Sequence, residues 1–266
     1  MEAGINNTSS RRNSGLIIII ALFASFFIYY SVLMVLSPIR KMAAIKEEFG
    51  FKETDKNKVD QRFFTDSAYL CMLKGKSFLQ SRLIMAETDS IYLTISLPDS
   101  IINIEISGVA VHNAKMSSVK ASRIIRKGND RLILSMLATP FTISNSLSTI
   151  KKEPVMIKMA PKDTSEFKPD VMPDTSLTEP VRYVLEMTNG SRIFVCQTEN
   201  ENHDDRVSNF VFDMKYRLQE ILMNLKDALR FKVPEYHPYV KIRLSREDAK
   251  IIYRAIPRYA QIGICR

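Results

Sequence analysis

Histidine and cysteine are scarce in this chain of 266 residues, three of each, and their positions exclude more than their number does. Cys71, Cys196 and Cys265 lie far apart and follow neither metal-ligand nor redox spacing. An odd count also rules out a fully paired disulfide framework. His112, His203 and His237 include no pair at helical metal-binding spacing, so no metal and no other cofactor is expected. Basic residues are scattered among acidic ones without an aromatic-basic reader motif, which argues against nucleic acid as a partner. Charge is missing altogether between Arg12 and Arg40.

Inside that uncharged gap, Leu16 to Leu36 reads LIIIIALFASFFIYYSVLMVL, relieved only by two serines and two tyrosines. As a helix rising about 1.5 Å per residue it just spans the ~30 Å hydrocarbon core of a bilayer. A cleavable signal peptide would instead have an apolar run of roughly 7 to 15 residues followed by a small-x-small cleavage site. This run is longer, and Ser37-Pro38-Ile39-Arg40-Lys41 is a poor cleavage site. Residues 16–37 are therefore read as a retained signal anchor, residues 1–15 as a short polar tail, and the membrane as a partner through one transmembrane helix. Positive charge is similar on the two flanks, with Arg11, Arg12 and the α-amine before the helix and Arg40, Lys41 and Lys46 after it. The flanks thus leave open on which side of the membrane the following domain lies.

The formal net charge is +9, and residues 1–36 hold Glu2 against Arg11 and Arg12, a net +1, which leaves +8 for the remainder. A domain this basic favours anionic partners such as acidic headgroups or a carboxylate-rich wall polymer; solvation is the plainer use of the same charge.

Along the rest of the chain, Lys41 to Lys58 is charged and repeat-free and reads as a stalk or a short helix that lifts the domain off the bilayer. Residues 59–87 carry an approximate helical stripe interrupted at Gly75, which predicts two short helices. At Ile91 the period changes to two, with Ile91, Leu93, Ile95 and Leu97 opposite Tyr92, Thr94 and Ser96, the pattern of a half-buried strand. Ile102, Ile104 and Ile106 alternate again, and Ser107-Gly108 leads into Val109-Ala110-Val111-His112, so an antiparallel meander is expected. Asn189-Gly190 between Tyr183–Met187 and Arg192–Cys196 predicts a hairpin with a type I′ turn. The stretch between, with Pro161, Pro169, Pro173 and Pro180, reads as an exposed loop. Ser208 to Phe231 is an amphipathic helix whose stripe includes Phe210, Met214, Leu218, Leu222 and Leu225, expected to pack in the core unless it serves a protein partner. Ser245 caps a last helix with Asp248 in capping-box position, Pro257 stops it, and Ala260 to Ile264 is a closing strand. The fold class is α+β: an N-terminal transmembrane helix, then residues 38–88 as stalk and short helices, then a mostly β, sandwich-like domain over residues 89–266 with an inserted amphipathic helix.

The closing segment, Ile242-Arg243-Leu244-Ser245, then Asp248-Ala249, Tyr253, Ile256-Pro257, Ile262 and Ile264, resembles the end of L,D-transpeptidase catalytic domains. Ile101 to Met116 resembles that family's opening strand pair, Thr139-Pro140-Phe141-Thr142-Ile143 its Thr-Pro segment without the usual glycine, and Arg192 to Thr198 the strand that ordinarily ends Ile-His-Gly-Thr. The resemblance implies a domain outside the inner (cytoplasmic) membrane acting on peptidoglycan peptides.

The departures from the family bear directly on chemistry. Its enzymes need a cysteine thiolate, an activating histidine and backbone oxyanion donors, supplied by a Ser-His-Gly-Cys run before the Ile-Arg strand. Here that place is Tyr236-His237-Pro238-Tyr239-Val240-Lys241, so Lys241 stands at the nucleophile position and Cys196 at the histidine of the Ile-His-Gly-Thr strand. The candidate ligand-binding residues are His237, Arg243, Cys196 and Lys241, with no catalytic residue assigned. Arg243 suits a carboxylate through its planar fork, or pairs with a neighbouring acid. A relocated nucleophile, Cys196 activated by His237, is the enzymatic alternative, against an inert strand cysteine. Two functions follow: a non-catalytic module that binds peptidoglycan or regulates a wall enzyme, and a docking subunit of an envelope assembly that uses the amphipathic helix.

Overall fold

A computed structural model of the chain describes residues 8–50, 67–152, 180–199 and 203–266. The expected loop with Pro161, Pro169 and Pro173, and the second half of the expected stalk, lie outside the described residues. In chain order the elements are α1 (Thr8–Phe49), α2 (Ser67–Ala86), β1 (Tyr92–Ser96), β2 (Ile101–Ile106), β3 (Val109–Lys115), β4 (Ser118–Ala121), α3 (Arg123–Lys127), α4 (Asp130–Leu137), β5 (Phe141–Ser148), β6 (Arg182–Met187), β7 (Arg192–Gln197), α5 (His203–Leu229), β8 (Tyr239–Leu244), α6 (Arg246–Ala255) and β9 (Gln261–Cys265). They fall into two compact units, Met1–Glu48 with Arg217–Tyr236, and Phe49–Tyr216 with His237–Arg266.

In the first unit, α1 is long and apolar enough over Leu16–Phe49 to cross a membrane. The hydroxyl of Ser31 donates to the Phe27 carbonyl at 2.8 Å, so this polar group is satisfied within the apolar stretch. The helix does not stop after Ser37. Pro38 lies inside it, and the strong helix formers that follow, Met42 to Glu48, carry it on despite the one backbone bond a proline removes. The helix therefore runs unbroken from Thr8 to Phe49, beyond both ends of the expected anchor at residues 16–37. On one face of α1, Tyr29 donates to the Ala228 carbonyl at 3.2 Å, its ring lies 5.9 Å from that of Phe231, and Lys41 pairs with Glu235 at 3.3 Å. The helix α5 ends in a Schellman motif: the amide of Lys232 donates to the Asp227 carbonyl and that of Phe231 to Ala228. Phe231 takes the left-handed position, φ 57°, where glycine is usual.

The second unit is built on one nine-stranded mixed sheet in the order β3-β2-β1-β9-β5-β6-β7-β8-β4. β1 with β9 and β7 with β8 pair in parallel; the other pairs are antiparallel. β3 and β4 stand at opposite ends of that order, yet only Met116 and Ser117 separate them in the chain. Such a link reaches at most about 10 Å, so the sheet curls until its edges approach. The interior of the curl is filled by Leu93, Ile102, Ile193, Ile242 and Ile262, all buried, with Ala249 and Ile252 of α6.

Against the outer face of the β1 half lies α2, a single helix that runs through Gly75 without interruption. Where two short helices were expected, the described residues form one, with nothing within 4 Å of where a Cβ at Gly75 would stand. That glycine costs only its propensity, of order 1 kcal/mol. Gly263 of β9 lets α2 approach closely: a Cβ there would meet Met85 Cε at 2.6 Å and Ser81 Oγ at 3.1 Å. Because α2 covers this face, Tyr92, Leu93, Thr94 and Ile95 are all buried, where the alternation predicted a strand with one wet side. Under α2, buried Glu105 accepts from Thr94 Oγ1 at 2.7 Å and from Arg82 Nε at 3.0 Å.

The turns also differ from expectation. Ser107 and Gly108, both at positive φ (46° and 85°), form the two-residue loop of the β2–β3 hairpin, the geometry of a type I′ turn. At Asn189-Gly190 only Gly190 has positive φ, 78°. There the Gly190 amide donates to Met187 and the Met187 amide to Ser191, which makes a three-residue loop closed by a glycine bulge.

The helix α5 presents the opposite of the expected faces. Its polar side meets the sheet: Arg182 donates to the Asn209 carbonyl and to Asp213 at 2.7 Å, and Tyr216 packs edge-on to Phe194. Its apolar stripe, Phe210, Met214, Leu218 and Leu222, is exposed at 50–64 %, and Leu225 is half-buried. The expected core packing of this stripe is not found, because the arginine and aromatics on the outer face of β6 and β7 select the side of α5 able to pair with them.

Candidate functional site

The C-terminal segment that carries the resemblance folds as its residues dictate. Ser245 ends β8 and caps α6, its Oγ accepting from the Asp248 amide at 3.1 Å and donating to the Asp248 carboxylate at 2.6 Å. The other oxygen of Asp248 meets His112 Nε2 of β3 at 3.0 Å. Strand β8 alternates, with Val240, Ile242 and Leu244 turned into the core and Lys241 and Arg243 exposed outside.

The pairings place the candidate residues relative to one another. Cys196 is level with Arg243, Phe194 with Lys241 and Arg192 with Tyr239 on the parallel β7–β8 pair. On the other side of β8, Lys120 of β4 is level with Lys241 and Ser118 with Arg243. Paired residues share a face, so Lys120, Lys241 and Arg243 stand together on the outer surface, on strands roughly 5 Å apart. All three are exposed. The Lys241 ammonium lies 5.1 Å from the centroid of Phe194 and 5.3 Å from that of Tyr239, an aromatic support for a fixed cation.

Cys196 and His237 are not brought together. His237 precedes β8, where its Nδ1 lies 2.8 Å from the Gly190 carbonyl under the β6–β7 hairpin. Cys196 lies at the other end of β7, beyond the four strand positions from Arg192 to Cys196, about 13 Å. Burial pushes the Cys196 thiol above its ordinary range, although Arg182, Arg243 and Lys241 pull it back in part. A thiol with a raised pKa and no histidine beside it is a poor nucleophile. Lys241 is the third residue of β8, in mid-strand, and not at its entrance. Among the described residues no three His, Cys, Asp or Glu side chains converge as a metal site.

Sequence reading missed Lys120, because the short stretch Ser118–Ala121 has too few residues to show a strand period; α3 and α4, between it and β5, were likewise unassigned. The aromatic partners Phe194 and Tyr239 were visible only as strand residues, since their register with Lys241 comes from a parallel pairing of segments about 40 residues apart. No family model, curated protein or solved structure matches the chain at a significant level.

Proposed function

We propose that this chain is a membrane-anchored, non-catalytic L,D-transpeptidase-like module of the cell envelope, its domain outside the cytoplasmic membrane, that holds the acidic peptides of peptidoglycan. The observation that carries the reading is the exposed row Lys120, Lys241 and Arg243, with Lys241 supported on Phe194 and Tyr239; the sequence resemblance sets Lys241 against the family's thiolate. A lysine there does not attack a peptide carbonyl unless desolvation lowers its pKa toward neutrality, and this one is exposed. Three cations on one sheet surface, with the planar fork of Arg243 among them, suit carboxylates. Co-sedimentation of the purified full-length protein with peptidoglycan sacculi tests this. Saturable binding should weaken at least tenfold in Lys241→Glu combined with Arg243→Glu and should fall with added salt; binding that ignores both changes sinks the reading.

A second reading, a docking subunit of an envelope assembly, is favoured by the exposed apolar stripe of α5. It predicts co-purification with a stable protein partner and no retention on sacculi.

A further inference from the structure

The apolar face of α5 has a spacing more specific than amphipathicity. Val207, Val211, Met214, Leu218, Ile221 and Leu225 follow one another at alternating intervals of four and three residues. This is the a/d spacing of a coiled-coil seam, held here over about two and a half heptads. The first five expose 47–56 % of their surface, while the opposite, polar side of the helix is engaged by Arg182 and Phe194. From this we infer that α5 pairs, parallel and in register, with α5 of a second copy of this chain, and that the protein is a homodimer in the membrane. The inference does not depend on the wall-binding reading.

Two observations favour a second copy over other occupants. The first is area. Eight exposed apolar side chains, the five above with Phe210, Leu222 and Leu229, each offer on the order of 100 Å², so roughly 800 Å² per copy is available, the share each partner gives to a standard interface. The second is the flanking chemistry. In a parallel pair the positions beside the seam set Phe210 against Lys215 of the other copy and Arg217 against Leu222. Each contact lays an aliphatic stem on an apolar group and opposes no like charges. An antiparallel pair centred on Tyr216 would crowd Lys215 and Arg217 against the same residues of the other copy.

Disulfide trapping in membranes holding the full-length protein tests the pairing, in a background with Cys71, Cys196 and Cys265 changed to serine. Leu218→Cys, on the seam, should give a cross-linked homodimer under mild oxidation at least tenfold more efficiently than Gln219→Cys, one residue off it. In detergent the unmodified protein should sediment as a dimer. Leu218→Asp should raise the dissociation constant on the order of 100-fold while the circular dichroism spectrum stays the same. Equal cross-linking at both positions, cross-linking to a different protein, or a monomeric unmodified protein overturns the proposal. So does loss of fold in Leu218→Asp, because the stripe would then be core.

Discussion

The sharpest expectation concerns Cys196, the one thiol that the resemblance to L,D-transpeptidases would set beside a catalytic site. Replacing Cys196 with Ala should leave any effect of the protein on muropeptides unchanged, and the unaltered thiol should resist acylation. The reason can be given a magnitude. A thiol with the ordinary value of 9.0 is about 1 % thiolate at pH 7. Burial raises Cys196 above that value, so its thiolate fraction is smaller still. His237, the group that would take its proton, is held at the Gly190 carbonyl at the far end of the strand pair. A carbapenem at pH 7 should therefore acylate Cys196 at least 100-fold more slowly than a preformed thiolate. Cys71, which is exposed, should label first with a maleimide. Intact-mass spectrometry with peptide mapping reads both. A stoichiometric carbapenem adduct on Cys196 within minutes, or hydrolysis and transfer of tetrapeptide stems lost in the Cys196→Ala variant, would refute the reasoning and restore an enzyme.

The other expectations concern stability. Glu105→Ala should cost about 3 kcal/mol, because it strands the Thr94 hydroxyl and the Arg82 guanidinium that the buried carboxylate binds. Glu105→Gln should recover part of this through Thr94, and urea unfolding that differs by less than about 0.5 kcal/mol would be inconsistent with the network. Gly263→Ala should cost about 1–3 kcal/mol by pressing Met85, which has no exposed surface into which to move. A double-mutant cycle with Met85→Ala should show coupling between the two sites. Cys196, Cys265, Tyr92 and Tyr183 all have raised pKa values in the folded chain, chiefly through burial. The fold then binds more protons than the unfolded chain above the ordinary thiol value. The stability from these groups is complete below pH 9.0 and is lost as pH rises through their folded values. Melting temperature followed from pH 8 upward should fall, and less steeply once Cys196 and Cys265 are replaced by serine.

The local elements of this protein were legible in the sequence wherever the physics is local. An uncharged apolar run makes a helix fit to span a bilayer regardless of what surrounds it, and Ser245 three residues before Asp248 caps a helix through bonds within one turn. Alternation located β1 and β2 because side chains of a strand alternate between faces, and the Asn189-Gly190 turn signal located β6 and β7. Tertiary structure decided what those elements face. The last strand in sequence, β9, sits between β1 and β5 in the middle of the sheet, a placement no local pattern encodes. Strand β1 lost its wet side because α2 reaches it across Gly263. Cys196 and His237, close in a linear match, were separated by the parallel register of β7 with β8, and the same register assembled Lys120, Lys241 and Arg243 from strands far apart in the chain. The periodicity of α5 identified a helix and its stripe, but which side turned inward depended on Arg182 and Phe194 on the sheet. Hydrophobic periodicity reports which residues avoid water, while the surface that shields them is set by pairings between distant segments.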